Sequence, residues 1–251
     1  MTIYIFTGPS LPPQTAFLEW DVPKYLPPAA QGDLYRVARR RPWGIGVIDG
    51  YFERTPSVWH REILWALSKG IHVYGSASMG ALRAAELAVY GMVGVGAIFQ
   101  DFASGVLQDD DEVTLAHAPA GRNYQPASEA MINIRHTLAK AVQGGILGAA
   151  TAKRLGQIGK DLFYPLRTYE TILEEGLRRR LLAAELEAFR AWLLAGRVDQ
   201  KRLDAVAMLG RMREDLEHCP QRKKINFSFT RTDGWVGLQR EATSSRGRKR
   251  K

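Results

Sequence analysis

Ile71-His72-Val73-Tyr74-Gly75-Ser76-Ala77-Ser78-Met79-Gly80-Ala81-Leu82-Arg83-Ala84-Ala85-Glu86-Leu87 passes from an apolar, β-branched run through a turn of small residues into an Ala/Leu-rich segment of helical spacing. Read as strand, tight turn and helix, it places Ser76 and Ser78 in the turn. The first N–H groups of a helix lack intrahelical partners, and the helix dipole favours negative charge there. Such a turn suits a nucleophile with an oxyanion site, and it suits anion binding equally well. It also suits plain capping, because serine is a preferred N-cap. The G-x-S-x-G pattern is met on one side only: Gly80 follows Ser78, but Ser76 stands where the first glycine belongs.

Working outward, two further strand-like runs end in loops of the same kind. Ile3-Tyr4-Ile5-Phe6 ends at Thr7-Gly8-Pro9-Ser10-Leu11, and Gly44-Ile45-Gly46-Val47-Ile48 ends at Asp49-Gly50-Tyr51-Phe52. Between the second run and Ile71, a helix is expected from Pro56-Ser57 through Trp59, Ile63, Leu64 and Leu67, which share one helical face. Strand, helix, strand at this spacing is a right-handed βαβ unit with parallel strands. Parallel sheets carry their sites beyond the carboxyl ends of the strands, so the loops at Gly8–Ser10, Asp49–Phe52 and Gly75–Met79 should converge on one edge. A fourth strand is expected over Glu112–His117. From residue 127 the pattern turns helical: roughly 127–143, 147–160, 166–178, 181–195 and 199–216. The fold class is therefore α/β, a small parallel sheet flanked by helices, with a mostly α-helical C-terminal part. The corresponding division is 1–145 for the α/β core, 146–218 for the helical part and 219–251 for a basic, disordered tail.

The 251 residues suffice for a substantial core, and 45% hydrophobic with 24% charged residues is ordinary for a globular protein. No apolar run approaches ~20 residues, so no membrane span is expected, and the N-terminus reads as a first strand rather than a signal peptide. Cys219 is the only cysteine, which excludes an intramolecular disulfide; cytoplasmic residence is the default expectation. The five histidines lack metal-ligand spacing, so no metal site is expected. The net charge of +9 owes much to Arg246-Gly247-Arg248-Lys249-Arg250-Lys251, which places the excess in a solvated terminus and argues against a nucleic-acid partner.

Lys69 precedes its strand while Ser78 follows it, so Lys69 should lie at the wrong sheet edge to activate the serine. His60 and Arg61, at the start of the preceding helix, are better placed. His60 could act as a general base at neutral pH, whereas a guanidinium only stabilises an anion or clamps a carboxylate. Glu62 could pair with either. Arg83, Glu86 and Arg135 could form ion pairs or hold a carboxylate terminus. Asp49 occupies a familiar site position or a turn, and Gly8-Pro9-Ser10 is too short to be a phosphate loop.

These stretches together resemble the TfuA-like family. The resemblance rests on Phe6-Thr7-Gly8-Pro9-Ser10-Leu11, Asp49-Gly50-Tyr51-Phe52, Ser57 through Leu67, Gly75 through Leu87, Asp110-Asp111-Glu112-Val113 and Ala127 through Arg135, covering residues 3 to about 140. It implies an accessory hydrolase for YcaO proteins, which activate peptide amides with ATP and install backbone thioamides in ribosomal peptides. Partners implied are the YcaO protein, a thiocarboxylated ThiS-like sulfur carrier and the precursor peptide; the chain itself would need no cofactor. The activity implied is sulfide release through a Ser–Lys pair, with Ser78 as the serine. The family pattern has lysine where this chain has Arg61, so the chain departs at the implied base. His60 or another lysine such as Lys24 takes over, or Arg61 stabilises anionic charge, or hydrolysis is lost and an adaptor role remains. Catalytic candidates are thus Ser78, His60 and Arg61; binding candidates are Gly8, Pro9, Ser10, Asp49, Ser76, Gly80 and Arg83.

Overall fold

Five short strands, β1 (Ile3–Phe6), β2 (Lys24–Leu26), β3 (Gly44–Val47), β4 (His72–Ser76) and β5 (Val93–Val95), pair in parallel in the order β2-β1-β3-β4-β5. The structure, a computed structural model, describes residues 1–52 and 55–244. It forms two compact units, one of residues 1–106 with 204 onward, the other of residues 107–203. The expected division at 145/146 thus differs from the boundaries the packing draws. β2 and β5 fall outside the expected strands because three residues are too few to display an alternating pattern.

In the first unit the pleat sends Tyr4, Phe6, Ile45, Val47 and Val73 to one face of the sheet. There they meet Leu34 and Val37 of α2 (Asp33–Ala38), Ile63 and Leu67 of α3 (His60–Ser68), Ala84 and Leu87 of α4 (Met79–Leu87), and the partly buried Phe99 of α5 (Ala97–Ala103). Ile3, Ile5 and Tyr74 point the other way, toward α1 (Pro13–Glu19) and α10 (Gln200–His218). From Asp204 onward α10 belongs to this unit. Its Ala205, Met208, Leu209 and Met212 are spaced as one helical stripe and are fully buried on the sheet. Burial of each larger side chain contributes roughly 1.5–3 kcal/mol. A Cβ on Gly46 would lie 2.9 Å from Met208 Cε, and Tyr74 donates its hydroxyl to Asp215 at 2.8 Å.

α3 starts at His60, later than Pro56-Ser57, because the Glu62 carboxylate accepts the Trp59 N–H at 3.1 Å and so caps the helix there. The same carboxylate accepts the N–H groups of Gly32 and Tyr35 at the start of α2. Burial pushes the Glu62 carboxyl above the usual range, although the three backbone donors oppose it.

After α10 the chain does not become a disordered tail within the described residues. Lys223 donates its N–H to Gly70, Ile225 and Phe227 pack on the sheet core, and α11 (Asp233–Ser244) seats Trp235 with no exposed surface. Residues 245–251, the remainder of the expected tail, lie outside the described residues.

The second unit packs α6 (Met131–Gln143), α7 (Ala149–Asp161), α8 (Tyr169–Arg178) and α9 (Ala183–Gly196) around Met131, Ile134, Leu155, Ile158, Ile172 and Phe189. The strand expected over Glu112–His117 is absent. Asp110–Glu112 is a 3-10 turn, and the backbone that follows makes only an isolated antiparallel bridge, His117 with Pro126, where Ala116 accepts the Ala127 N–H at 2.8 Å, while its earlier groups bond side chains. Lys201 donates to the Val113 carbonyl at 2.5 Å, and Ala116 donates its N–H to Ser128 Oγ at 2.8 Å. Tertiary partners override the β-propensity of Val113 and Thr114.

Around that turn, Asp109, Asp111 and Glu112 all bond Lys160. The buried Arg167 pairs with Asp111 at 3.0 Å, and Arg135 is bidentate on Glu112 at 2.9 Å. Burial alone would raise both carboxyls. Lys160 with Arg167 on Asp111, and Arg135 with Lys160 on Glu112, outweigh it and hold both below the usual range. A depressed folded-state pKa stabilises above the unfolded value and is lost as pH falls through the folded one. Hydrogen-exchange protection of α6 and α7 should therefore drop between about pH 5 and about pH 3. Lys160→Gln should flatten that dependence; an equally steep profile in the variant would count against the cluster as its origin.

Candidate active site at the serine turn

Strand order decides where a crevice opens. β1 lies between β2 and β3, so the chain leaves it toward opposite sides of the sheet, and the crevice outside the carboxyl ends of β1 and β3 is the topological switch point. The loops after these strands are bonded across it. Ser10 donates its hydroxyl to Asp49 Oδ1 at 2.6 Å and its N–H to Oδ2 at 3.1 Å, and Asp49 is 2% exposed. A Cβ on Gly8 would meet Pro28 Cγ at 2.6 Å; Pro9 is half-buried between them. The third loop joins through Gly50, whose absent Cβ leaves room for Met79, 2.7 Å from where it would stand. The expected convergence of the three loops is present in these contacts.

Within the serine turn, Ala77 takes a left-handed φ of 65°, a region that costs a residue with a Cβ and so marks a constrained site. Ser78 follows as the N-cap residue of α4, yet its hydroxyl makes no side-chain cap bond. The plain capping role is thus not what this side chain performs. The helix start offers less than a full set of donors. Gly80 N–H is taken by the Ile48 carbonyl, and those of Ala81 and Leu82 by Ser78's own carbonyl. Among the described residues, the Met79 N–H is the one left without a backbone partner in this first turn. Two binding candidates serve the architecture instead. The Ser76 hydroxyl reaches the carbonyls of Val95 and Asp204, at 2.9 and 2.8 Å, and Gly80 is where α4 touches β3.

The two residues expected beside Ser78 bond elsewhere. His60 Nε2 is 2.7 Å from Glu86 Oε2, and Glu86 sits eight positions along α4 from Ser78, about 12 Å of helix rise. Arg83 donates to Glu86 at 2.8 Å and to the Val58 carbonyl at 3.1 Å, pinning α4 to the lead-in of α3. Burial would raise the Glu86 carboxyl, but His60 and Arg83 together hold it below the usual range. Arg61 stacks over Trp59 and donates to the Thr230 carbonyl at 2.9 Å. Lys24 opens β2 beside Tyr4, toward the amino end of the strands, and Lys69 caps the far end of α3. One buried cation had no signal in the sequence. Lys201, 1% exposed in the second unit, sits in a Gln200-Lys201-Arg202 run that reads as solvated.

An open parallel sheet with a buried serine on a strained turn at its carboxyl edge defines an α/β protein whose candidate site is assembled from strand-end loops. The model of the family described as TfuA-like protein matches residues 49–168, from the Asp49 loop to the cap of α8, and over that stretch the chain is similar to the TfuA-like family. No curated protein matches the chain. The family is consistent with a role in thioamidation-related biosynthesis. Among the described residues, no helix is long and apolar enough to cross a membrane.

Proposed function

We propose that this chain releases sulfide from a thiocarboxylated ThiS-like sulfur carrier for a YcaO enzyme, with Ser78 as the nucleophile, and promotes engagement of that enzyme with its peptide substrate. The observation that carries the reading is Ser78 itself, held behind the left-handed Ala77 with its hydroxyl not spent on capping α4. Ser78 Oγ attacks the thiocarboxylate carbonyl carbon, the C–S bond breaks, and sulfur leaves as hydrosulfide carrying the serine proton. Water then cleaves the acyl-serine ester, returning the hydroxyl and a carrier carboxylate and releasing one proton to solvent. The anionic sulfur thus serves as the proton acceptor in the net first step, which relaxes the demand for a base such as lysine at position 61. The Met79 N–H and the positive end of α4 lie beside the charge that develops. ATP is consumed by the YcaO protein in this scheme, and the chain needs no cofactor of its own.

Sulfide release from purified carrier thiocarboxylate tests it. Ser78→Ala should lower the rate on the order of 10³-fold or more while leaving YcaO binding intact. An undiminished rate would remove Ser78 from the mechanism. A second reading, an adaptor that docks the YcaO protein, carrier or peptide without chemistry, is favoured by one observation: His60 and Arg61 are committed to Glu86 and Thr230. Wild-type protein that binds its partners yet releases no sulfide would select it.

A further inference from the structure

α2 and α11 run together on the first unit, and the seam between them is lined with guanidinium groups. A cavity of about 530 Å³ there is bounded by Arg36, Arg39, Arg40, Ala242 and Thr243. A second, of about 320 Å³, shares Arg39 and Thr243 with it and adds Arg240. Among the described residues, no acidic one lines either cavity. Two of the four arginines are already fixed. Arg36 is paired with Asp33 at 2.7 Å, and Arg40 donates to the Tyr4 hydroxyl at 3.3 Å while stacking over its ring at 5.7 Å. Arg39 and Arg240 are exposed and have no acidic partner among the described residues. The other acids of these helices, Asp233 and Glu241, do not line the seam.

Such an array has a use only for an anion. Like charges gathered in one concavity repel one another, and complementary negative charge relieves that repulsion. Guanidinium groups bind carboxylates through two parallel N–H bonds, and pre-fixed ones lose little freedom in doing so. Arg36, Arg39 and Arg40 follow one another at the C-terminal end of α2, and Arg240 lines the second cavity together with Arg39. Both cavities are open and share Arg39 and Thr243, so the arginine-lined surface extends over both. That shape fits several carboxylates along an extended chain better than one compact ion.

We infer that the α2–α11 seam is a docking site for an acidic peptide segment of a partner protein, read by Arg36, Arg39, Arg40 and Arg240. It is independent of the chemistry assigned to Ser78. It also gives α11 a role beyond closing the C-terminal end of the first unit: without that helix the seam has one wall.

Fluorescence anisotropy with a labelled deca-glutamate peptide and the full chain tests the inference. Saturable binding at low salt that weakens with ionic strength is expected. Arg39→Glu with Arg240→Glu should weaken it about tenfold or more. Both side chains are exposed, so the double variant should keep the parent circular dichroism and melting temperature. Replacing the five basic residues of 246–251 by glutamine should leave most of the binding in place. No binding, binding indifferent to the double variant, or binding lost only with the terminal cations would overturn the inference. A single-stranded oligonucleotide of equal charge bound more tightly through the same arginines would overturn it in favour of nucleic acid.

Discussion

Gly80→Ala is expected to destabilise the first unit by about 3 kcal/mol or more, a large share of the roughly 5–15 kcal/mol by which domains are stable. The reason is a backbone contact. A Cβ at this position would stand 1.7 Å from the Val47 carbonyl oxygen and 2.6 Å from its carbon, in the middle of the sheet. The neighbouring Gly75 faces the same constraint from the other side, with its Cβ position 2.1 Å from the Gly80 carbonyl oxygen. Backbone cannot rotate away as a side chain can, so α4 would have to lift off β3 and β4. Lifting it would also displace Ser78 at its N-terminus. Gly210 provides the opposite case. It lies within α10 with nothing inside 4 Å of its Cβ position, so Gly210→Ala should stabilise by about 0.5–1 kcal/mol through helix propensity alone. Urea denaturation of both variants reads the contrast. A Gly80→Ala midpoint equal to the parent's would show that the contact between helix and strand is looser than described.

Trp235→Ala should cost about 3–5 kcal/mol, and should release α11 before the sheet unfolds. Trp235 has no exposed surface and meets Tyr35 at 5.2 Å, Phe229 at 5.0 Å and Trp65 at 5.9 Å between ring centroids. Apart from this aromatic seat, α11 is held by the smaller buried side chains Leu238 and Ala242 and by Gln239 donating to the Tyr35 hydroxyl at 2.9 Å, which bury far less surface than the indole. The indole N–H is buried without a hydrogen-bond partner among the described residues. Trp235→Phe therefore keeps most of the packing and sheds an unsatisfied donor, and should cost much less than alanine. Hydrogen exchange across α11 separates the outcomes: protection lost in the alanine variant and largely kept in the phenylalanine one. Unchanged protection in both would mean that the aromatic seat does not hold the helix. Because α11 forms one wall of the arginine seam, the alanine variant should lose acidic-peptide binding as well.

Local pattern carried much of this architecture. The runs at Ile3–Phe6, Gly44–Ile48 and Ile71–Tyr74 are strands within a residue or two, and the helices of the second unit fall where their apolar spacing puts them. Elsewhere pattern misled. Val113 and Thr114 read as strand, but a strand needs a continuous neighbour: here the Lys201 side chain takes the Val113 carbonyl, and pairing with the backbone of 125–128 is confined to an isolated bridge at His117. The residues from 219 onward read as a basic tail because charge dominates their composition. The few apolar residues that anchor them, Ile225, Phe227 and Trp235, are too sparse to form a periodic signal.

For the candidate site the division is similar. The sequence by itself determined that a serine follows a buried strand, that glycines flank it, and that the loops after three parallel strands lie on one edge, because chain direction alone orders those features. Only the tertiary structure decided which serine is tied to distant carbonyls and which, as the N-cap residue of α4, makes no cap bond. Ser76 is consumed by carbonyls of Val95 and Asp204, which lie 19 and 128 positions away in the chain, and no local rule anticipates such partners. Tertiary structure likewise turned His60 toward Glu86 and Arg61 toward Thr230, and it laid α10 on the open face of the sheet. An amphipathic stripe states that a helix must cover something, but which surface it covers is settled by the packing of the whole unit.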